Sequence, residues 1–138
     1  MSMSVDQADL DIQRILRAEI RDLRERHQLK IALLHILYAV AMNGPRKGLP
    51  SLEAQEALIR QSPLFDEAWY MKAYPDVAAS DISAAGHYVR AGAFEGRDPG
   101  PNFDSMAYYL ANRDAASAGW PALAHYESVG KAEGRPLG

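Results

Sequence analysis

The residues best suited to chemistry are histidines and carboxylates that recur at one fixed spacing. His87 and His125 lie 38 residues apart, and so do Glu95 and Glu133. Neither histidine has a second ligand at metal-binding spacing, and duplicated carboxylates favour a shared structural role over acid–base catalysis. The chain has no cysteine, which excludes thiolate ligands and cysteine nucleophiles. We therefore predict a protein that is not an enzyme and that uses no metal and no cofactor.

The 38-residue spacing belongs to an internal repeat. Residues 65–97 match residues 103–135 without a gap at 13 of 33 positions. A period of this length is typical of repeats that consist of helical pairs. The most distinctive identities, each with a partner 38 residues later, are Phe65, Asp66, Tyr70, Asp76, His87, Tyr88, Gly92, Glu95, Gly96 and Arg97.

Each copy is predicted to contain two helices. Asp66 and Asp104 are natural N-caps for the first helix. The second helix covers residues 83–91 or 121–129, and Gly92 or Gly130 ends it. No alternating run of β-branched residues indicates a strand. The predicted class is all-α.

Three segments are expected along the chain. Residues 1–44 form a long helix, since neither glycine nor proline interrupts residues 5–42, and Gly44 followed by Pro45 is predicted to stop it. Residues 45–62 are a linker and a short helix, for which Ser51 is the predicted N-cap. Residues 63–138 hold the two helical repeats, at 65–99 and 103–136.

An apolar stripe along the long helix predicts self-association. Its spacings of 4, 4, 3, 4, 4, 3, 4 and 4 give an eleven-residue period, which favours a nearly straight bundle. A helix of roughly 55 Å is longer than a small repeat domain could cover. The stripe comprises Ile12, Leu16, Ile20, Leu23, His27, Ile31, Leu34, Tyr38 and Met42. We predict homo-oligomerisation through seven of these residues: Ile12, Leu16, Ile20, Leu23, Ile31, Leu34 and Tyr38.

Residues 31–42 are apolar nearly all round, which indicates burial on every side. They could form the centre of an oligomer, a peg docked in a larger assembly such as a capsid, or the surface that receives the repeat domain. At 12 residues this stretch is too short to span a bilayer. The first residues carry Asp6 and Asp9 and do not resemble an export signal.

Charge argues against nucleic acid as the partner, because the net charge is −3. Residues 14–30 have six basic and three acidic residues. The acids interleave with the arginines, and we expect i,i+4 pairs between Asp22 and Arg26 and between Arg21 and Glu25. Such pairing makes binding to membranes or acidic surfaces a poor prediction for this helix.

The repeated polar residues allow two interpretations. In the structural one, Arg97 and Arg135 hold helix-terminal carbonyls or the aspartate of their own repeat, Asp76 or Asp114. In the functional one, donors and aromatic rings form a surface for an anionic or hydroxyl-rich ligand such as a glycan. Trp120 and Tyr109 have no aromatic counterpart in the first copy, which makes them the first choices for sugar-stacking roles. The candidate ligand residues are Trp120, Tyr109, Arg97, Arg135, His87 and His125.

The motif in the first copy resembles a bacterial tandem repeat. It reads Phe65-Asp66-x-x-Trp69-Tyr70-x-x-x-Tyr74-Pro75-Asp76-Val77, followed by His87-Tyr88-x-x-x-Gly92-x-x-Glu95-Gly96-Arg97-x-Pro99. This is similar to repeats appended to glycosyltransferases and other surface-polysaccharide proteins. The second copy departs from the pattern at Ala107, Asn112 and Arg113. The resemblance implies contact with polysaccharide, or with its machinery, and no activity of its own.

These observations predict a non-enzymatic, oligomeric attachment protein that binds capsular polysaccharide at the cell surface. A shared helix with sugar-associated repeats resembles a head spike of a phage-like capsid or gene transfer agent. Such a spike would be made in the cytoplasm without a signal peptide and released with the particle. The alternative is a cytoplasmic adaptor that docks on glycosyltransferases of polysaccharide synthesis. A small glycan-acting enzyme would be supported only by the duplicated carboxylates.

Overall fold

The long helix forms as predicted and ends at the predicted glycine. In the computed structural model, which describes residues 2–138, α1 runs over Ser2–Asn43. Gly44 follows with a φ of +76°, and its N–H donates to the Val40 carbonyl at 2.8 Å. A left-handed residue at this position favours glycine and stops the helix. After a short linker, the Ser51 hydroxyl accepts from the Ala54 N–H at 3.1 Å and so begins the next helix.

The remaining helices confirm the all-α class and the repeat. They are α2 Leu52–Gln61, α3 Glu67–Ala73, α4 Pro75–Ala78, α5 Ala84–His87, α6 Ser105–Ala111, α7 Arg113–Ser117 and α8 Ala122–His125. α5 continues into a π-helical turn, Tyr88–Gly92, and α8 into another, Tyr126–Gly130. Residues 2–138 contain no strand, although one isolated bridge pairs Gly100 with Phe103.

Each copy has three helical pieces where two were predicted. The predicted N-caps are confirmed, because the Asp66 and Asp104 carboxylates accept from backbone N–H groups at 3.0 and 2.9 Å. The chain then restarts as a short helix, with Pro75 in the first turn of α4. A proline suits this position because it has no N–H to leave without a partner.

The second helices end at Gly92 and Gly130, as predicted, although Ala93 and Lys131 after them keep right-handed helical backbone angles. The glycines with left-handed backbones are Gly96, at φ +80°, and Gly134, at φ +69°. The left-handed turn therefore comes four residues after each helix ends.

The C-terminal half of α1 packs on the repeat domain through a core face, which consists of Leu29, Leu33, Ile36 and Val40. Towards the middle of α1, Leu29 and Ile36 lie beside Arg113 and Ala116 of α7. Towards its end, α1 lies beside α2 and the π turn of the first copy. No residue of 5–24 belongs to the buried core, so this part of α1 extends roughly 30 Å beyond the core face.

The apolar stripe lies on the opposite side of α1 from the core face. At about 100° per residue, the two faces are separated by roughly half a turn. The seven residues predicted to associate are between 43% and 69% exposed. Burial of residues 31–42 on every side is therefore wrong for the single chain, since its own domain covers one side only. No helix in residues 2–138 is long and apolar enough to cross a membrane.

Adjacent leucines on the two faces provide a direct test. Leu33→Ala should lower the free energy of unfolding by about 2–5 kcal/mol, because the side chain is fully buried. Leu34→Ala should change it by no more than about 0.5 kcal/mol, because Leu34 is exposed. Chemical denaturation at low protein concentration measures both values. Equal losses would contradict the packing of α1 described here.

Candidate functional site

A tyrosine–histidine pair lies at the centre of each copy. The Tyr70 hydroxyl is 2.7 Å from His87 Nδ1, and the Tyr108 hydroxyl is 2.7 Å from His125 Nδ1. Burial raises the pKa of Tyr108 to about 12 and also raises the pKa of Tyr70. Burial lowers the pKa of both histidines. A hydrogen bond therefore joins a protonated tyrosine to the Nδ1 of a neutral imidazole in each copy.

The repeated glycines make room for this hydrogen bond. A Cβ at Gly92 would collide with the Tyr70 hydroxyl oxygen, and a Cβ at Gly130 would collide with that of Tyr108. The π turns place these glycines beside the rings, with Ala93 N–H donating to the Tyr88 carbonyl at 3.0 Å. The His-Tyr-x-x-x-Gly motif is thus explained by packing. His87 and His125 are parts of the repeat's own fold, as their equivalence predicts.

The structural interpretation of the repeated arginines is also confirmed. Arg97 donates to both carboxylate oxygens of Asp76, at 2.9 and 2.8 Å. Arg135 Nη1 lies 2.7 Å from each carboxylate oxygen of Asp114. These hydrogen bonds lower the pKa of both aspartates. The guanidinium N–H donors of Arg97 and Arg135 are therefore largely used for hydrogen bonds within their own repeat.

The glutamates of the repeat complete each cluster. Glu95 Oε1 lies 3.4 Å from Arg97 Nε and 3.6 Å from His87 Nε2. In the second copy, Glu133 Oε1 accepts from Arg135 Nε at 3.1 Å. The Arg97 guanidinium also lies 4.8 Å from the centre of the Tyr74 ring, an aromatic position that the second copy lacks.

A buried chain of hydrogen bonds joins the two copies. Leu123 N–H donates to the Tyr88 hydroxyl at 3.2 Å, and Tyr88 lies 2.8 Å from Ser105 Oγ. Ser105 Oγ donates in turn to the Arg97 carbonyl at 2.7 Å, and Ser105 N–H donates to Asp98 at 2.9 Å. The sequence analysis missed Ser105 and Asp98. Because the repeat matches neither position, no signal in the sequence marks them.

Two of the predicted ligand residues are wrong because they are buried. Tyr109 is fully buried, and its hydroxyl donates to the Trp120 carbonyl at 2.5 Å, so its ring cannot stack on a sugar. His125 is 4% exposed and lies edge-to-face with Trp120 at 5.8 Å. Both residues belong to the core of the second copy, in which Ala107 replaces the Trp69 of the first copy.

The other predicted ligand residues remain accessible but do not form one cluster. Trp120, His87, Arg97 and Arg135 are half-buried. His87 and Arg97 meet around Glu95 in the first copy, whereas Arg135 belongs to the equivalent cluster in the second.

A polar groove of about 460 Å³ lies beside the junction of the copies, lined by Asp98, Asn102, Asp104, Gly138 and others. Among the described residues, no group of three or more histidine, aspartate or glutamate side chains could hold a metal ion.

The chain matches no protein-family model, no curated protein and no solved structure.

Gly92→Ala should destabilise the protein by about 1–3 kcal/mol, because the new methyl group overpacks the tyrosine–histidine pair. In a Tyr70→Phe background the same substitution should cost less, because the colliding hydroxyl is gone. Chemical denaturation of the four proteins gives the coupling energy. Gly130→Ala with Tyr108→Phe is the matched cycle in the second copy. Additive effects in both cycles would disprove the packing explanation of the motif.

The histidines should make stability pH-dependent. Since folding lowers the pKa of His87 and His125, their contribution is complete above about pH 6.5 and is lost as the pH falls below it. The aspartates paired with arginine lose their contribution only at more acidic pH, since their pKa values are lowered from 3.8. The midpoint of thermal unfolding should therefore decline between pH 7 and pH 5.

The exposed histidines of α1 provide the control for this pH dependence. His27→Gln with His35→Gln should leave the decline unchanged, because both side chains lie outside the core. A flat profile between pH 7 and pH 5 would contradict a neutral tyrosine–histidine pair.

Proposed function

We propose that this protein is a non-enzymatic, oligomeric attachment protein, in which α1 assembles several copies and the repeat domains face a bacterial surface polysaccharide. One observation carries the proposal. α1 has two apolar faces on opposite sides, of which the repeat domain covers one and leaves the other open along the helix.

The open face is best matched by a second copy of the chain. In residues 5–24 the continuation of the core face is interrupted by Asp11 and Asp22 beside Ile15 and Ala18, so the apolar stripe is the more continuous surface to bury. Soluble monomers rarely leave a large contiguous apolar surface in water. A straight stripe with an eleven-residue period is complementary to a helix with the same period. Identical chains supply that helix without a further gene product.

The polysaccharide partner is supported by the repeat. Its motif resembles repeats that accompany glycosyltransferases, and Trp120, His87, Arg97 and Arg135 stay partly accessible. A single weak glycan contact becomes useful when several copies act together, because linkage raises the effective concentration of each further site. The projecting part of α1 also suits attachment to a larger particle, such as a phage-like capsid, with which the protein would be released.

Single substitutions on opposite sides of α1 test the assembly. Leu16→Glu and Leu23→Glu each place a charge in the apolar stripe and should shift the full chain from oligomer to monomer. Ala18→Glu adds the same charge on the other side of α1 and should leave the oligomer intact. Sedimentation velocity measures the three variants, and circular dichroism checks their helical content. A monomeric parent protein at micromolar concentration would contradict the assembly.

Binding to isolated capsular polysaccharide tests the partner. The full chain should bind, and Leu16→Glu should bind at least about tenfold more weakly because avidity is lost. Ala54→Glu, which adds the same charge at an exposed position of α2 outside the proposed contact residues, serves as the control. Failure of the parent protein to bind any polysaccharide in a broad panel would overturn the attachment function. Capture of a glycosyltransferase in that case would favour the adaptor.

A further inference from the structure

Four arginines form a row on the projecting half of α1. Arg14, Arg17, Arg21 and Arg24 are spaced by three, four and three residues, which places them on one face over about 15 Å. All four are exposed, and they line a shallow cleft of about 520 Å³ together with Ile20. This arginine row is separate from both the core face and the apolar stripe, and lies roughly a third of a turn from the stripe.

The acidic residues of this segment do not neutralise the row. Asp22 pairs with Arg26 at 3.1 Å, as predicted. The predicted pair of Arg21 and Glu25 does not form, because Glu25 approaches Arg113 of α7 instead, at 3.9 Å. Glu19 lies on the side of α1 opposite the row.

Only one arginine of the row has an acidic partner. Arg14 lies 3.2 Å from Asp11. Among the side chains of residues 5–138, no carboxylate lies within 4.0 Å of Arg17, Arg21 or Arg24. The positive charge of the row is therefore available to an external anion, although the acids interleave with the arginines in the sequence.

The shape and composition of the row select among polyanions. A guanidinium binds carboxylate, sulfate or phosphate through paired N–H groups. A row one residue wide, with arginines roughly 5 Å apart along the axis, fits a single extended chain with regularly repeated charges. Residues 5–37 contain no phenylalanine, tyrosine or tryptophan, so there is no ring on which the bases of a single-stranded nucleic acid could stack.

We infer that the arginine row binds a linear acidic polysaccharide, whose uronate or sulfate groups pair with Arg17, Arg21 and Arg24. This inference rests on the proposed attachment function and adds to it a second contact surface and the charge of the ligand. When α1 helices associate through the apolar stripe, the arginine row stays outside the interface between them. Each copy then presents its own row, and a long polymer can contact several.

The test uses the full chain and two variants of equal net charge. Arg17→Gln/Arg21→Gln/Arg24→Gln removes three charges from the row. Lys30→Gln/Lys47→Gln/Lys72→Gln removes three exposed charges elsewhere. The probes are polygalacturonate, dextran sulfate, neutral dextran, oligo-dT and vesicles containing phosphatidylserine. Sedimentation velocity confirms that all proteins have the same oligomeric state.

The parent protein should bind polygalacturonate or dextran sulfate more tightly than neutral dextran, with affinity falling as salt rises. The arginine variant should bind at least tenfold more weakly, and the lysine variant within threefold of the parent. Equal effects of both variants, or tighter binding to oligo-dT or vesicles, would overturn the inference. If the arginine variant keeps full affinity for capsular polysaccharide, the row is excluded while the attachment function stands. If the row binds polyanions but the protein binds no bacterial polysaccharide, the attachment function fails instead.

Discussion

The hydrogen bond between a buried tyrosine and a neutral histidine is the interaction on which each repeat depends. Tyr70 and Tyr108 lie in α3 and α6, and His87 and His125 lie in α5 and α8, so each bond ties two helices together. The bond is possible only because a glycine one π turn later leaves space for the hydroxyl. Replacing any of the three residues would leave a buried polar atom without a partner or force atoms into overlap. This explains why the three residue types recur together at a 38-residue interval.

The copies differ in what surrounds this shared centre. In the first, Arg97 stacks on Tyr74 while it pairs with Asp76. In the second, Asn112 stands in place of that tyrosine and donates to the carbonyls of Tyr108 and Pro136. The clusters of arginine, aspartate and glutamate are partly exposed, and such ion pairs add little stability singly. The arginine–aspartate pairs are the same in both copies, whereas the residue beside them differs.

Helix α1 packs on the repeat domain through its C-terminal half and projects beyond it through its N-terminal half. Its core face holds both copies at once, since it lies beside α7 of the second copy and the π turn of the first. Its other sides carry the apolar stripe and the arginine row, which extend past the domain. A single helix thus combines a folding role with two surfaces of different chemistry. Their angular separation leaves the arginine row outside an interface formed through the stripe, as the proposed assembly requires.

The sequence by itself determined the helical class, the extent of α1, its glycine stop, three N-caps, the repeat and the arginine–aspartate pairs. All of these depend on local propensity or on a fixed spacing, which can be read residue by residue. Only the tertiary structure decided which face of residues 31–42 is covered, that Tyr109 and His125 are buried, and that Glu25 leaves Arg21 for Arg113. It also revealed the steric role of Gly92 and Gly130 and the polar junction at Ser105. These features depend on contacts between residues distant in the chain, which no local pattern encodes.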